Sequence, residues 1–389
     1  LPGEHRARDS GGGAQQMTAT PLTLYASPMS LWSGRARSYL IKANIDYREE
    51  PHASQHFMEV VLPKAGGRRG IPTLEFPDGR VIRDGVAIVD HFEAERGNPH
   101  TPATPRQRIA ALLFDVIGAE GLVRPCMHYR WHFPEEDEFL LHHFRPITPW
   151  GGTAEMTGEA RIRINREVVT PLFGAAAEHS EAIEALYADV VDALDAHLAD
   201  VPYLFGGMPS IGDFGLIAPL YGHLGRDPVP LRILQTRAFN LLRWVERMNR
   251  PEPDIGEYAD RSETFLADDT VPDTLIDVLR AFAVDFVPET VAAAHTINAA
   301  LEETPPPAGS ECERGYGNAE FDMPGASISA LAQPFRFYLL KRVQDAVANL
   351  DGTDREAVLA MLDDANMTPV LDARLIRDIG RQDNLEVWL

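Results

Sequence analysis

The sequence predicts an α/β domain with elements in the order βαβ-ββα, followed by an all-helical domain that runs on into a helical C-terminal extension. Three observations predict it. Extended apolar runs are confined to the first hundred residues, a polar proline-rich stretch follows them, and hydrophobic spacing after that stretch is helical. The chain has 389 residues, long enough for about two to three domains with sizeable cores.

Leu-Thr-Leu-Tyr-Ala at 22–26 reads as a strand, Ser27-Pro28 as a turn, and 33–43 as a helix with Ala36, Leu40 and Ile41 on one face. A second strand fits 47–50. Residues 71–76 and 80–83 flank Pro77-Asp78-Gly79, which predicts a β-hairpin. Asp84 stands where a helix N-cap belongs, ahead of Val86, Ile88, Val89 and Phe92. The α/β domain is therefore placed at 17–97.

Residues 98–105, Asn-Pro-His-Thr-Pro-Ala-Thr-Pro, mark a linker. Thr104 as cap and Pro105 at the first helical position open a long helix with Ile109, Leu112, Leu113, Val116 and Ile117 on one side. A second long helix is expected over 178–198, and a third over 237–248, stopped by Pro251 and Pro253. Between them Ser210-Ile211-Gly212-Asp213 has the spacing of a capping box. This helical domain is placed at 104–250. The extension, 251–389, shows helical stretches at 273–286, 289–302, 335–350 and 354–363, with a Pro- and Gly-rich interruption at 304–327.

Composition narrows the function. The net charge of −22 repels phosphate backbones and anionic lipid, which argues against nucleic-acid and membrane partners. Cys126 and Cys312 are too few for a disulfide framework, and nothing about their spacing suggests structural zinc, so a reducing, cytoplasmic setting is expected. No apolar run approaches the roughly 18 residues of a membrane span. Residues 1–16 are polar, lack an apolar signal core and read as a flexible leader ahead of Met17.

Ser30 and Ser33 stand immediately before the first helix, whose free N–H groups and dipole favour an anion such as a thiolate. From the residues alone Ser33 is a helix N-cap and Ser30 a loop hydroxyl. No Gly-x-Ser-x-Gly elbow surrounds either, which excludes a serine hydrolase of that type. Cys126-Met127-His128-Tyr129-Arg130-Trp131-His132 forms a second constellation. Its i, i+4 histidines lack the His-Glu-x-x-His pattern, and no metal is expected.

The segment 27–45 resembles the start of the glutathione transferase superfamily, in particular the omega-type pattern Ser-Pro-Phe-Cys-x-x-x-x-Arg, with Ser30 at the cysteine position. Ile71-Pro72 resembles the family's Val-Pro, Asp84-Gly85 its acidic-Ser pair, and 210–213 its capping box, all in order between about Pro21 and Arg250. The resemblance implies a thioredoxin-like N-terminal domain that binds glutathione as co-substrate and a helical domain that binds a small apolar electrophile. It also implies a homodimer.

On that reading a cis Pro72 leaves the Ile71 backbone to pair with the tripeptide. Asp84 and Gly85 would meet its γ-glutamyl ammonium and carboxylate, and Arg69 its carboxylate. Ser30 would donate to the sulfur and lower the thiol pKa from about 8.5, with Ser33 and Ser27 as fallback donors. Tyr129, Arg130 and Trp131 would line the electrophile pocket; the competing reading is a buried aromatic cluster with Arg130 in an ion pair.

Two departures bear on activity. Gly85 replaces the family's hydroxyl residue, and Ser30-Leu31-Trp32-Ser33 holds oxygen where a Cys-x-x-Cys would hold sulfur, which rules out dithiol exchange there. The alternatives are a non-catalytic binding or scaffold protein of the same fold, and a glutathione-independent isomerase or carrier.

Overall fold

The computed structural model describes residues 21–144 and 158–389; the expected leader, 1–16, lies outside them. The first half is built as β1 (Leu22–Ala26), α1 (Ser33–Lys42), β2 (Tyr47–Pro51), a π-turn at Phe57–Val61 running into a helical turn α2 (Leu62–Lys64), β3 (Thr73–Glu75), β4 (Val81–Arg83) and α3 (Gly85–Arg96). The sheet order is β2-β1-β3-β4, with β1 and β2 parallel and the other pairs antiparallel. Leu24 stands opposite Leu74, and Leu74 opposite Ile82. Leu24, Leu74, Leu40 and Ile88 meet in the main core, while Tyr25 points to the other face, against Phe57 and Val61. Strand alternation in β1 thus feeds two separate apolar layers.

The helical part follows as α4 (Pro105–Glu120), α5 (Val123–Trp131), α6 (Asp137–Phe144), α7 (Gly158–Ile164), a turn α8 (Thr170–Leu172), α9 (Ser180–His197), α10 (Ile211–Gly222), α11 (Pro228–Arg237) and α12 (Phe239–Arg247). Helices α4 and α10 cross at Gly118 and Gly215, where a Cβ on Gly118 would fall 2.1 Å from the Gly215 carbonyl carbon. Only glycine permits that approach. The capping box forms as the spacing predicts. Asp213 Oδ2 accepts from the N–H and hydroxyl of Ser210, each at 2.8 Å, while Oδ1 accepts from Leu204 N–H at 3.1 Å and Trp244 Nε1 at 3.0 Å.

The two halves are joined by buried polar contacts. Arg35 pairs with Asp115, Ser38 donates to Met248 O at 2.6 Å, and Lys42 donates to the Tyr203 hydroxyl at 2.8 Å. Burial lowers Lys42 to about 7, with Arg247 and Arg250 lowering it further and Asp254 and Asp213 opposing them.

The extension comprises α13 (Asp273–Glu303), β5 (Asn318–Met323), β6 (Ala326–Leu331), α14 (Phe335–Ala348), α15 (Gly352–Asp364), β7 (Ile379–Gln382) and β8 (Leu385–Trp388). It differs from the expectation in two ways. The stretches at 273–286 and 289–302 are one helix running through Pro288, because a continuous face of Leu279, Phe282, Phe286 and Ile297 is buried along it. Packing there outweighs the missing N–H. The extension also contains two hairpins, β5–β6 turning at Gly325 and β7–β8 turning at Asp383-Asn384, both at positive φ. Among the described residues no helix is long and apolar enough to cross a membrane.

Candidate functional site

A cavity of about 890 Å³ lies where the α/β part, the helical part and the extension meet. One wall holds Trp32, Arg69, Ile71, Pro72, Asp84 and Gly85. The Ile71–Pro72 peptide is cis, and no hydrogen bond of the described residues uses the Ile71 N–H or C=O. Asp84 has φ +75°; its N–H donates to Pro72 O at 2.9 Å, and its Oδ1 accepts from the N–H groups of Val86 at 2.6 Å and Ala87 at 3.2 Å. The expected N-cap therefore forms. It brings the first turn of α3 beside the Ile71 edge, an arrangement suited to a carboxylate.

Gly85 has a packing reason. A Cβ there would lie 3.3 Å from Trp32 O and 3.4 Å from Arg35 Cδ. The hydroxyl residue found at this position in the resembling family would crowd the start of α1.

The serines occupy different roles from those expected. Trp32, not Ser33, stands at the N-cap of α1, and Ser30 Oγ accepts from Ser33 N–H at 3.2 Å. Ser33 is the first helical residue, fully buried, and its hydroxyl has no partner among the described residues. Ser27 Oγ accepts from Met29 N–H at 3.3 Å. The cavity wall includes Trp32 but none of Ser27, Ser30 and Ser33. The loop 28–31 is held against the end of α10, where a Cβ on Gly222 would lie 2.7 Å from Ser30 O, and Met29 is buried with Val123, Met127 and Trp131.

Tyr129, Arg130 and Trp131 do not reach this cavity, which corrects their expected role as its electrophile wall. All three are buried. Tyr129 packs on Tyr187 and Phe133, Trp131 stacks on Phe144, and Arg130 grips Asp227 through two bonds of 2.7 Å while donating to Gly222 O at 2.9 Å. The alternative reading of an aromatic cluster with a paired arginine describes them. His128 and His132 face one another, and His128 also contacts Glu184 at 2.9 Å. Among the described residues no group of three or more possible metal ligands gathers.

The apolar wall comes instead from Ile164, Val169, Leu172 and Phe173, with Leu331 and Phe335 of the extension. Glu120, at the end of α4, faces the cavity without a hydrogen bond among the described residues. Burial pushes its carboxyl up to about 7; Arg336 and Arg35 pull it down, and Glu289 adds to the rise. Arg69 and Arg161 also line the cavity and make no ion pair among the described residues; burial and then Arg69 lower the Arg161 guanidinium. Burial, Arg161 and Arg69 hold His52 below the usual imidazole range, against a backbone contact to Ala26. Cys312 faces the cavity from the extension, its thiol pushed up to about 12 by burial first and then by Glu386.

Residues 24–100 match the family model of the glutathione S-transferase N-terminal domain, and residues 177–247 match that of the C-terminal domain. No curated protein matches. Among solved structures, a GST-like protein from Pseudomonas syringae is 18% identical over 60% of this chain and 70% of its own, with a TM-score of 0.40. The β-etherase LigF from Sphingobium sp. strain SYK-6 is 19% identical over 59% and 95%, also at 0.40. FzlA from C. crescentus is 18% identical over 58% and 86%, at 0.36. The residues beyond 247 fall outside both family models. The two glutathione S-transferase domain models thus match in order, the N-terminal one on the α/β part and the C-terminal one on the helical part.

Proposed function

We propose that this protein binds glutathione along the Ile71–Pro72 edge and activates its thiol for attack on a small apolar electrophile. One observation carries the reading: the N–H and C=O of Ile71, which have no partner among the described residues, share a cavity wall with the first turn of α3, so an extended thiol peptide meets both backbone partners and a helix N-terminus. Ser30 is the thiol's partner. Its oxygen already accepts from Ser33 N–H, which leaves its own hydrogen to donate. The thiol proton is lost to solvent, a sulfur–carbon bond forms, and the electrophile's leaving group departs with the bonding pair. Ile164, Leu172 and Phe173 would take the apolar part of the electrophile. A cytoplasmic homodimer completes the proposal, by analogy with the family.

The test is thermal stabilisation of the full chain by millimolar glutathione, followed by turnover of 1-chloro-2,4-dinitrobenzene with wild type and Ser30→Ala. Loss of turnover with binding retained supports Ser30, and absence of stabilisation removes the glutathione reading. A second reading, a binding protein without turnover, is favoured by the absence of all three serines from the cavity wall. Stabilisation without any turnover would select it.

A further inference from the structure

Both oxygens of Asp84 are committed within the protein. Oδ1 accepts from the first turn of α3, and Oδ2 accepts from Arg381 Nη1, while Arg381 Nη2 donates to Arg83 O. Arg381 is held firmly in this place, because it sits on β7 and the turn of its hairpin is bonded to the edge strand β4. Asn384 Oδ1 accepts from Arg83 N–H at 3.1 Å, and its Nδ2 donates to Val81 O at 3.0 Å and Lys64 O at 3.1 Å. Glu386 on β8 accepts from Arg83 Nη2 at 2.8 Å.

Of the other carboxylates here, Glu386 is neutralised by Arg83 and Arg381 and Glu311 by Arg68, while Glu120 and Glu313 line the cavity with no ion pair among the described residues. Elsewhere on the wall Arg69 and Arg161 carry positive charge with no ion pair among the described residues. A chain with net charge −22 thus presents, at this cavity, two guanidinium groups that have no ion pair among the described residues.

We propose that this cavity selects a carboxylate-bearing thiol ligand that lacks a free α-ammonium group, and that Arg381 sets the preference by occupying Asp84. The proposal rests on the glutathione reading and narrows it to the ligand's glutamyl end. An ammonium reaching Asp84 meets a guanidinium already seated on the carboxylate it needs, and must displace it or stay unpaired. A carboxylate at the same end gains the Gly85 N–H, which has no partner among the described residues, and the field of Arg381, and a second carboxylate gains Arg69 or Arg161. Arg381 is thus a specificity-determining residue supplied by the extension, outside the two matched domains.

Isothermal titration of the full chain with glutathione and with its deaminated analogue, glutaryl-cysteinyl-glycine, tests this. Wild type is expected to bind the analogue about tenfold more tightly, and Arg381→Ala to shift the ratio toward glutathione by about the same factor. Arg381→Lys, which keeps the charge, retains the preference for the analogue. Tighter binding of glutathione by wild type overturns the proposal without any variant, as does an unchanged ratio in a folded Arg381→Ala protein. Either result leaves the glutathione reading standing. Binding of neither thiol at millimolar concentration overturns both.

Discussion

Arg130 and Asp227 form a bidentate ion pair with side chains 2% and 0% exposed, and the same guanidinium reaches Gly222 O on α10 and Met29 O in the loop ahead of α1. One side chain thereby fixes the approach to the first helix to the end of another. Removing one member of such a pair strands a buried charge, at a cost of about 3–5 kcal/mol. Arg130→Met is expected to lower unfolding free energy by that amount in urea titrations. The loss should fall on stability first, because Arg130 does not line the cavity. A variant of unchanged stability with altered ligand affinity would return Arg130 to the site.

Restoring a hydroxyl at position 85 is not expected to help binding. The Cβ of Gly85→Ser would press on the Trp32 carbonyl and the Arg35 side chain, and Arg35 cannot yield freely while it is paired to buried Asp115. Overpacking of this kind costs about 1–3 kcal/mol. Calorimetry should show a lowered Tm, and titration with glutathione should show no gain in affinity. A tighter complex at unchanged Tm would mean that α1 gives way at Trp32.

Glu120 supplies a pH dependence whose sign is fixed by its environment. Its folded-state pKa of about 7 lies above the ordinary value of 4.5, so the folded protein holds this proton more tightly than the unfolded chain does. The resulting stabilisation is fully present below pH 4.5 and is lost as pH rises through 7. Glu120→Gln removes the titration. Relative to wild type it should be more stable by of order 2 kcal/mol at pH 8, with the gap closing toward pH 5. Chemical denaturation at the two pH values checks this, and a difference independent of pH would refute it.

The α/β half was legible because each of its elements carries a local signal: the apolar run at 22–26, the Pro77-Asp78-Gly79 turn and the Asp84 cap. The capping box of Ser210 and Asp213 was legible for the same reason, since four consecutive residues define it. At β5 the signal is present but masked by its surroundings. Ala319, Phe321 and Met323 are buried while Glu320 and Asp322 are exposed, a period of two that the surrounding prolines and glycines obscured. Tyr129, Arg130 and Trp131 misled because every residue of α5 is buried, and apolar spacing cannot separate a cavity wall from a core when no face is wet. Arg381 left no local trace. It meets Asp84 across 297 residues of chain, and a lone arginine in a short strand has no spacing to reveal its partner.

The junction between the extension and the sheet edge rests on Asn384, which gives a local test of the hairpin. Its backbone sits at φ 67°, and its side chain makes three bonds, to Arg83 N–H, Val81 O and Lys64 O. Asn384→Ala removes all three and places a less tolerant residue in the left-handed region, for an expected loss of about 2–3 kcal/mol. Asn384→Gly loses the same bonds but relieves the backbone, so it should cost less by about 1 kcal/mol. Hydrogen exchange at the Arg83 amide provides the readout. Exchange should accelerate in both variants while the Leu24 amide, inside the sheet, stays protected. Equal acceleration at both amides would show that the hairpin supports the whole α/β half rather than its edge.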